Sequence, residues 1–370
     1  MKIGIDARFV GPEGTGIGKY TEKLIENLQK IDTKNQYAIF LKESNWNYLK
    51  NLSKNFRKVL ADVSWYSLEE QIRMPTIYSR EKFDLLHVPH FNVPILYRGK
   101  FIVTIHDLIH QQFSETSATT RNALTFRIKK LGYKKIIKHA VSKSQGIITP
   151  SKFVKDQVVT TFTINPAKIT VTYEAAEQEY FQNGKPETKS QKPILLYVGN
   201  AYPHKNLEKL LDAFKILTLN SQLLTLNLVL VCPRDVFSQR LELLLDEKGL
   251  EERAELLGYK KPKELVSIFQ KSAAYVSPSL SEGFGIPGLN AMAAQIPVIC
   301  SNILTFKEIY GNAAAYFDQQ NPKDIAEKIK KVLKDLKTRS DLVEKGQKQV
   351  KKYSWLKMAQ QTLQIYESCV

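Results

Sequence analysis

The residues best placed for chemistry sit in a few short, glycine-rich stretches. In Pro278-Ser-Leu-Ser281-Glu282-Gly283-Phe284-Gly285-Ile286-Pro287, one carboxylate lies among backbone that can approach a ligand closely. Proline suits the first position of a helix. The loop therefore carries Glu282 and the amides of Gly283, Phe284, Gly285 and Ile286 to a helix N-terminus, where an acid either caps the helix or grips ligand hydroxyls. Upstream, Tyr197-Val-Gly199-Asn200-Ala-Tyr-Pro203-His204-Lys205-Asn206 ends a strand at a glycine and sets Lys205 just before a helix. That is a fixed cation where a diphosphate would need one. Near the start, Gly11, Gly14, Gly16 and Gly18 precede a helix, and their amides suit a phosphate, although a plain flexible loop fits the same residues. Thr104-Ile105-His106-Asp107 closes a buried strand, so His106 can hold a hydroxyl or move a proton, or serve the fold alone. His87 and His90 end the preceding strand in the same way.

Presenting these loops requires strands that stop where they begin. Short apolar runs alternate with helical patterns along the 370 residues, the mark of a parallel α/β sheet. Strands are expected at Lys2–Ala7, Tyr37–Leu41, Leu85–Val88, Phe101–Ile105, Gly146–Thr149 and Ile169–Thr172, with a first helix over Thr21–Lys30. Gln182–Lys192 is polar, holds Gly184 and Pro186, and reads as a linker. The pattern then restarts: strand Pro193–Gly199, helix Leu207–Leu217, and strands Leu226–Val231, Glu255–Leu257, Ala273–Val276, Val298–Cys300 and Ala314–Phe317. Two doubly wound units facing a cleft follow, with ligands expected at the carboxyl ends of the strands.

Composition narrows the class. The start, Met1–Ala7, enters a strand directly, and no segment approaches the ~20 apolar residues that span a bilayer. A cytoplasmic protein is expected. Cys232, Cys300 and Cys369 are far apart and form neither a metal-ligand spacing nor a disulfide framework. The net charge is +17, and between Thr116 and Lys155 ten basic residues stand without one acid. Arg127, Lys130, Lys134 and Lys138 would share a helix face. That face suits an anionic membrane surface, or is simply a solvated surface. No nucleic-acid module accompanies it, and no dinucleotide fingerprint follows a strand, so nucleic-acid binding and nicotinamide chemistry are set aside.

Taken together, Ile-Asp-Ala-Arg with its Gly-Ile-Gly-Lys loop, Thr-Ile-His-Asp, Tyr-Val-Gly…Pro-His-Lys-Asn-Leu, Glu-Gly-Phe-Gly-Ile-Pro and Ser301-Asn302-Ile303…Ala-Tyr-Phe-Asp318 resemble the retaining GT-B glycosyltransferases of family 4, the group 1 type. The resemblance runs almost end to end. It implies a Rossmann-like N-terminal acceptor domain over residues 1–182 and a Rossmann-like nucleotide-sugar domain over 193–352. The closing helix, Tyr353–Tyr366 within residues 353–370, is expected to cross back to the first domain. It also implies transfer of a hexose, mannose being one candidate, from a nucleoside diphosphate sugar to a glycan or lipid-linked acceptor of the cell envelope.

Two positions depart from the family pattern. Relatives carry two glutamates separated by seven residues. Glu282 matches the first, but Asn290 stands at the second, where relatives bind the ribose hydroxyls. His204 stands where many relatives have arginine, beside the retained Lys205. The resemblance gives Glu282, His106 and Lys205 catalytic roles. The donor contacts it implies are Gly16, Gly18, Asn200, His204, Lys205, Glu282, Gly283, Phe284, Gly285, Ile286 and Asn290. With no Asp-x-Asp in the chain, charge on the leaving diphosphate is expected to be met by cations and helix dipoles, without metal or other cofactor. A binding protein of the same fold with little or no turnover is the alternative, prompted by Asn290. Fold class alone would not decide between them.

Overall fold

The computed structural model describes residues 1–112, 123–181, 193–219, 223 and 225–370. The expected linker, Gln182–Lys192, lies outside them. The chain divides into two compact units. Unit 1 comprises Met1–Leu108, Arg121–Glu174 and Ser354–Val370, and unit 2 comprises Ile109–Thr120 and Ala175–Tyr353.

In unit 1, β1 (Lys2–Asp6) leads to α1 (Thr15–Ile31), β2 (Gln36–Leu41), β3 (Phe56–Leu60), α2 (Leu68–Arg80), β4 (Leu85–Val88) and β5 (Phe101–Thr104). The short α3 (Ile109–Gln112) is counted with unit 2, and unit 1 resumes with α4 (Ala123–Lys143), β6 (Gly146–Thr149), α5 (Lys152–Phe162) and β7 (Ile169–Val171). The sheet is parallel in the order β3-β2-β1-β4-β5-β6-β7. Its central strands are buried along their length, as a sheet covered on both faces requires.

Unit 2 repeats the scheme. Its elements are β8 (Ile194–Val198), α6 (Leu207–Thr218), β9 (Asn227–Val231), α7 (Val236–Lys248), β10 (Ala254–Leu257), α8 (Pro262–Lys271), β11 (Ala274–Ser277), α9 (Ile286–Ala293), β12 (Val298–Ser301), α10 (Leu304–Tyr310), β13 (Ala314–Phe317), α11 (Pro322–Lys334) and α12 (Leu336–Val350). The parallel order is β10-β9-β8-β11-β12-β13. One core packs Leu195, Phe214, Leu230, Val276, Ile299 and Ile329. The last helix, α13 (Trp355–Cys369), belongs to unit 1, where it packs along α1.

The strand order reverses between β1 and β4 and between β8 and β11. Loops leaving neighbouring strands there diverge, and the gap above them admits a ligand. Every stretch singled out for chemistry follows one of these strands or β5.

Two local differences from the sequence reading have simple causes. Helix α1 begins at Thr15, so Gly16 and Gly18 lie in its first turns and not in a loop before it. A Cβ at Gly14 or Gly18 would come 1.7 or 2.3 Å from the Phe9 carbonyl. Absence of side chains thus lets the helix start directly over the end of β1. Strand β3 was not expected, because an edge strand reading Phe-Arg-Lys-Val-Leu carries little continuous apolar signal. Among the described residues no helix is long and apolar enough to cross a membrane.

Candidate functional site

In unit 2 the loops after β8 and β11 meet at the strand reversal. After β8 the chain turns at Gly199, runs through a 3-10 turn at Pro203–Lys205, and enters α6 through Asn206 in the left-handed region. Asn206 Nδ2 donates to the carbonyls of Pro278 and Gln319 at 3.1 and 2.8 Å. The Leu280 amide donates to the His204 carbonyl at 2.8 Å. These backbone ties fix one loop against the other and bring Lys205 to Glu282: Nζ donates to Oε1 at 2.6 Å. Ser279 Oγ donates to the same oxygen at 2.7 Å, and Thr305 Oγ1 donates to the Glu282 carbonyl at 2.8 Å.

Burial alone would raise the Glu282 carboxyl, but the charge and hydrogen bond of Lys205, with Ser279 and the nearby His204, hold it below the ordinary carboxylate value. Glu282 is therefore an anion with one oxygen doubly engaged, at the mouth of α9. Gly285 enters that helix at φ 107°. A Cβ at Gly285 or at Gly288 would fall 2.3 Å from the Tyr310 hydroxyl, which donates to the Gly285 carbonyl at 2.6 Å. Tyr310 thus clamps the turn that presents Glu282. Asn200 is half-buried, and its carbonyl accepts from Tyr197 at 2.8 Å. Asn290 is buried, and its Oδ1 accepts the Glu177 amide at 3.0 Å. Its acceptor is thus engaged within the protein.

In unit 1, His106 leaves β5 with Nε2 3.1 Å from the Pro89 carbonyl, an atom that can only accept, so Nε2 carries hydrogen. Its Nδ1 lies 3.3 Å from Glu174 Oε1. One proton, held by ring or carboxyl, completes that contact, a suitable arrangement for a group that orients or relays. The ring also meets Tyr20 edge-on at 4.8 Å. His87 is different. It is fully buried, with Nδ1 2.7 Å from the Tyr366 hydroxyl and Nε2 2.9 Å from Thr104 Oγ1. Burial, and then the charge of His106, lower it to about 3. It is a neutral structural residue, with both nitrogens engaged inside unit 1. His90 is buried too, with Nδ1 3.2 Å from Asn92 Oδ1.

The Ile-Asp-Ala-Arg motif also serves the fold. Arg8 is buried, donates to both oxygens of Asp6 at 2.9 and 2.7 Å, and reaches Glu70 at 2.7 Å.

Comparison with known proteins joins both halves to one group. Residues 16–177 match the model described as Glycosyltransferase Family 4, and residues 178–349 match the model described as Glycosyl transferases group 1. The chain belongs to the family 4, group 1 glycosyltransferases. It is 26% identical over 335 residues to the O-antigen chain mannosyltransferase RfbU of Salmonella typhimurium strain LT2, covering 87% of this chain and 88% of that one. The fold matches sucrose-phosphate synthase of Thermosynechococcus elongatus at a TM-score of 0.79, with 19% identity, 100% of this chain and 98% of that one covered. It also matches Anabaena Alr3699/HepE in complex with UDP and glucose, with a TM-score of 0.75, 12% identity and 100% of each chain covered. This glycosyltransferase accordingly has the GT-B fold, two parallel-sheet α/β units and a helical C-terminus.

Of the expected residues, the glycosyltransferase brings Lys205, His204, Glu282 and the Gly283–Ile286 backbone together in unit 2. His106, Gly16 and Gly18 lie in unit 1. Four supporting residues escaped the sequence reading: Ser279, Thr305 and Tyr310, which hold the Glu282 loop, and Glu174, which faces His106. Only Ser279, three positions before Glu282, was near enough in sequence to be found.

Proposed function

We propose that the chain is a retaining hexosyltransferase that moves a sugar, mannose first among the candidates, from a nucleoside diphosphate donor to a hydroxyl of a lipid-linked cell-envelope glycan. Unit 2 binds the donor and unit 1 the acceptor. The observation that carries this reading is the Lys205–Glu282 pair at the entrance of α9, fastened by Ser279 and Thr305. Support for the acceptor class comes from the O-antigen mannosyltransferase named above, and for a nucleotide donor from the UDP-bound neighbour.

The leaving nucleoside diphosphate carries about two to three negative charges. Lys205 and the N-terminal end of α9 stabilise them as the anomeric carbon–oxygen bond breaks. Arrival of the diphosphate draws Lys205 from Glu282, which frees a carboxylate oxygen for the sugar hydroxyls while Ser279 still positions it. The new bond forms on the face the leaving group vacates. The acceptor hydroxyl passes its proton to the departing phosphate oxygen, and the electron pair of the broken bond leaves with the phosphate. His106 orients the sugar. Metal is not required, so EDTA leaves turnover unchanged.

A thermal-shift screen of nucleotide sugars, followed by a transfer assay with the donor that raises the melting point, tests the reading. Stabilisation by a nucleoside diphosphate hexose, with glycan product of retained configuration, is expected. Inverted product, or no donor bound, would overturn it.

The enzyme is proposed to work at the cytoplasmic face of an anionic membrane, attached through α4. Lys134 and Lys138 of the expected face are exposed there, Lys130 is half-buried, and the side chain of Arg127 lies outside the described residues.

A further inference from the structure

Three loops of unit 1 bring aromatic rings together where the strand order reverses between β1 and β4. Phe9 follows β1, Trp65 and Tyr66 follow β3, and His90 and Phe91 follow β4. Phe9 stacks on Trp65 with ring centres 4.4 Å apart and meets His90 at 5.3 Å. Tyr66 meets His90 edge-on at 5.8 Å and stacks on Phe91 at 6.0 Å. Phe9, His90 and Phe91 are buried, whereas Tyr66 is 53% exposed.

Glu70 holds both sides of this group. Its Oε2 accepts the Tyr66 amide at 3.0 Å, and its Oε1 accepts Arg8 Nη2 at 2.7 Å and Asn92 Nδ2 at 2.6 Å. Three donors on one carboxyl group require its ionised form. The first of these bonds keeps Tyr66 in left-handed backbone at φ 57°. That conformation is costly for a bulky residue, and such strain gathers where a ligand is gripped. With Nδ2 of Asn92 turned to Glu70, its Oδ1 faces His90 Nδ1 at 3.2 Å and can only accept, so Nδ1 carries hydrogen. In the neutral ring Nε2 is then the acceptor. It lies 3.5 Å from the Tyr66 hydroxyl, a length at which a hydrogen bond is weak.

We propose that this crevice holds a pyranose ring of the acceptor glycan, stacked on the face of Tyr66 turned from Phe91, with a sugar hydroxyl donating to His90 Nε2. A sugar joins a C–H face to a rim of hydroxyls. An exposed aromatic face beside an accepting nitrogen matches both. Charge argues for a neutral guest: Asp6 and Glu70 carry two negative charges against the single positive charge of Arg8. Lys42, 4.7 Å from the Trp65 ring centre, has Glu13 at 3.9 Å. A phosphate or nucleotide would meet that balance unfavourably. The inference rests on the reading of unit 1 as the acceptor side and adds to it the two residues that recognise the sugar.

Saturation-transfer NMR with the methyl α-glycosides of mannose, glucose, galactose, rhamnose and N-acetylglucosamine tests it. Calorimetry with uridine and guanosine diphosphates reports on donor binding in the same proteins. Wild type is expected to bind at least one glycoside. Tyr66→Gly keeps the left-handed backbone without strain and removes the ring. It should fold as stably as wild type and bind that glycoside about fivefold or more less tightly, with nucleoside diphosphate affinity unchanged. Tyr66→Phe keeps the platform and should stay within about twofold of wild type. His90→Phe keeps a ring but removes the accepting nitrogen, and should weaken glycoside binding about threefold or more. Should that buried change prevent folding, the two Tyr66 variants still decide.

Equal glycoside binding by wild type and Tyr66→Gly overturns the proposal, as does absence of glycoside binding to wild type. Loss of nucleoside diphosphate binding in Tyr66→Gly would also overturn it, by placing the rings with the donor. Transfer is assayed in parallel. Tyr66-dependent glycoside binding without transfer would count against the hexosyltransferase reading alone. Transfer with an acceptor KM unchanged in Tyr66→Gly would sink this site alone.

Discussion

At the scale of single residues, the proposed donor site turns on how one carboxylate is kept charged and pointed. Glu282 was legible as an acid before a helix. Its ionisation and aim depend on Lys205, 77 positions away, and on Thr305, 23 positions away. No local pattern announces such partners. Glu282→Gln should fold normally and lower turnover by at least about tenfold, the loss of ~1.4 kcal/mol of transition-state stabilisation. Steady-state kinetics on the folded variant checks this, and an unchanged turnover would remove Glu282 from the chemistry. Asn290 was legible as a departure from the family pattern, but its engagement with the Glu177 amide was not. A carboxylate accepts through both oxygens, so Asn290→Glu should keep that bond and hold a ribose hydroxyl as well. Asn290→Ala removes that bond together with the side chain and should weaken nucleoside diphosphate binding about fivefold or more. Calorimetry distinguishes the cases: equal affinity in wild type and Asn290→Ala would show that the side chain does not serve the nucleotide.

At the scale of elements, most strands were legible because buried parallel strands are continuous apolar runs, as Ile194–Val198 and Val298–Ser301 are. What escaped depended on a neighbour. The start of α1 was placed too late because glycines read as loop, whereas Gly14 and Gly18 are there to clear the Phe9 carbonyl. In α9 the same logic places Gly288 beneath Tyr310. A methyl there would lie 2.3 Å from the hydroxyl and 2.5 Å from the ring carbon that bears it. Gly288→Ala should therefore destabilise the protein by about 1–3 kcal/mol through overpacking. Its effect on turnover should exceed that on stability, because the displaced Tyr310 releases the turn that aims Glu282. Tyr310→Phe alone loses one hydrogen bond, about 1 kcal/mol. Combined with Gly288→Ala it should cost less than the sum, since the closest contact has gone. Denaturant titration of the four proteins measures that coupling, and strict additivity would mean that the two residues do not press on each other.

At the scale of the whole molecule, α13 returns the end of the chain to unit 1, and a buried polar chain closes it there: Tyr366 to His87, His87 to Thr104, Thr104 to Tyr20. Burial lowers His87 to about 3, from an ordinary value of 6.5. Above 6.5 neither the folded nor the unfolded chain protonates this ring, and its contribution does not vary with pH. Below 6.5 the unfolded chain takes up a proton that the folded chain refuses, so stability falls with each step toward pH 3. One group protonated only in the unfolded state contributes a slope of about 1.4 kcal/mol per pH unit. Glu282, also lowered, adds to the loss at more acidic pH as its ordinary range is reached, while Glu70, raised by burial, opposes it. The contribution of His87 is therefore read as a difference between proteins. His87→Gln retains hydrogen-bonding capacity toward the tyrosine and threonine hydroxyls but cannot titrate. It should be less stable than wild type at pH 7.5, because its shape is imperfect, and should lose less stability than wild type between pH 6.5 and pH 5. Denaturant unfolding at several pH values provides both slopes. Parallel slopes would mean that His87 takes a proton without unfolding, and that the closure of α13 onto unit 1 tolerates charge at its centre.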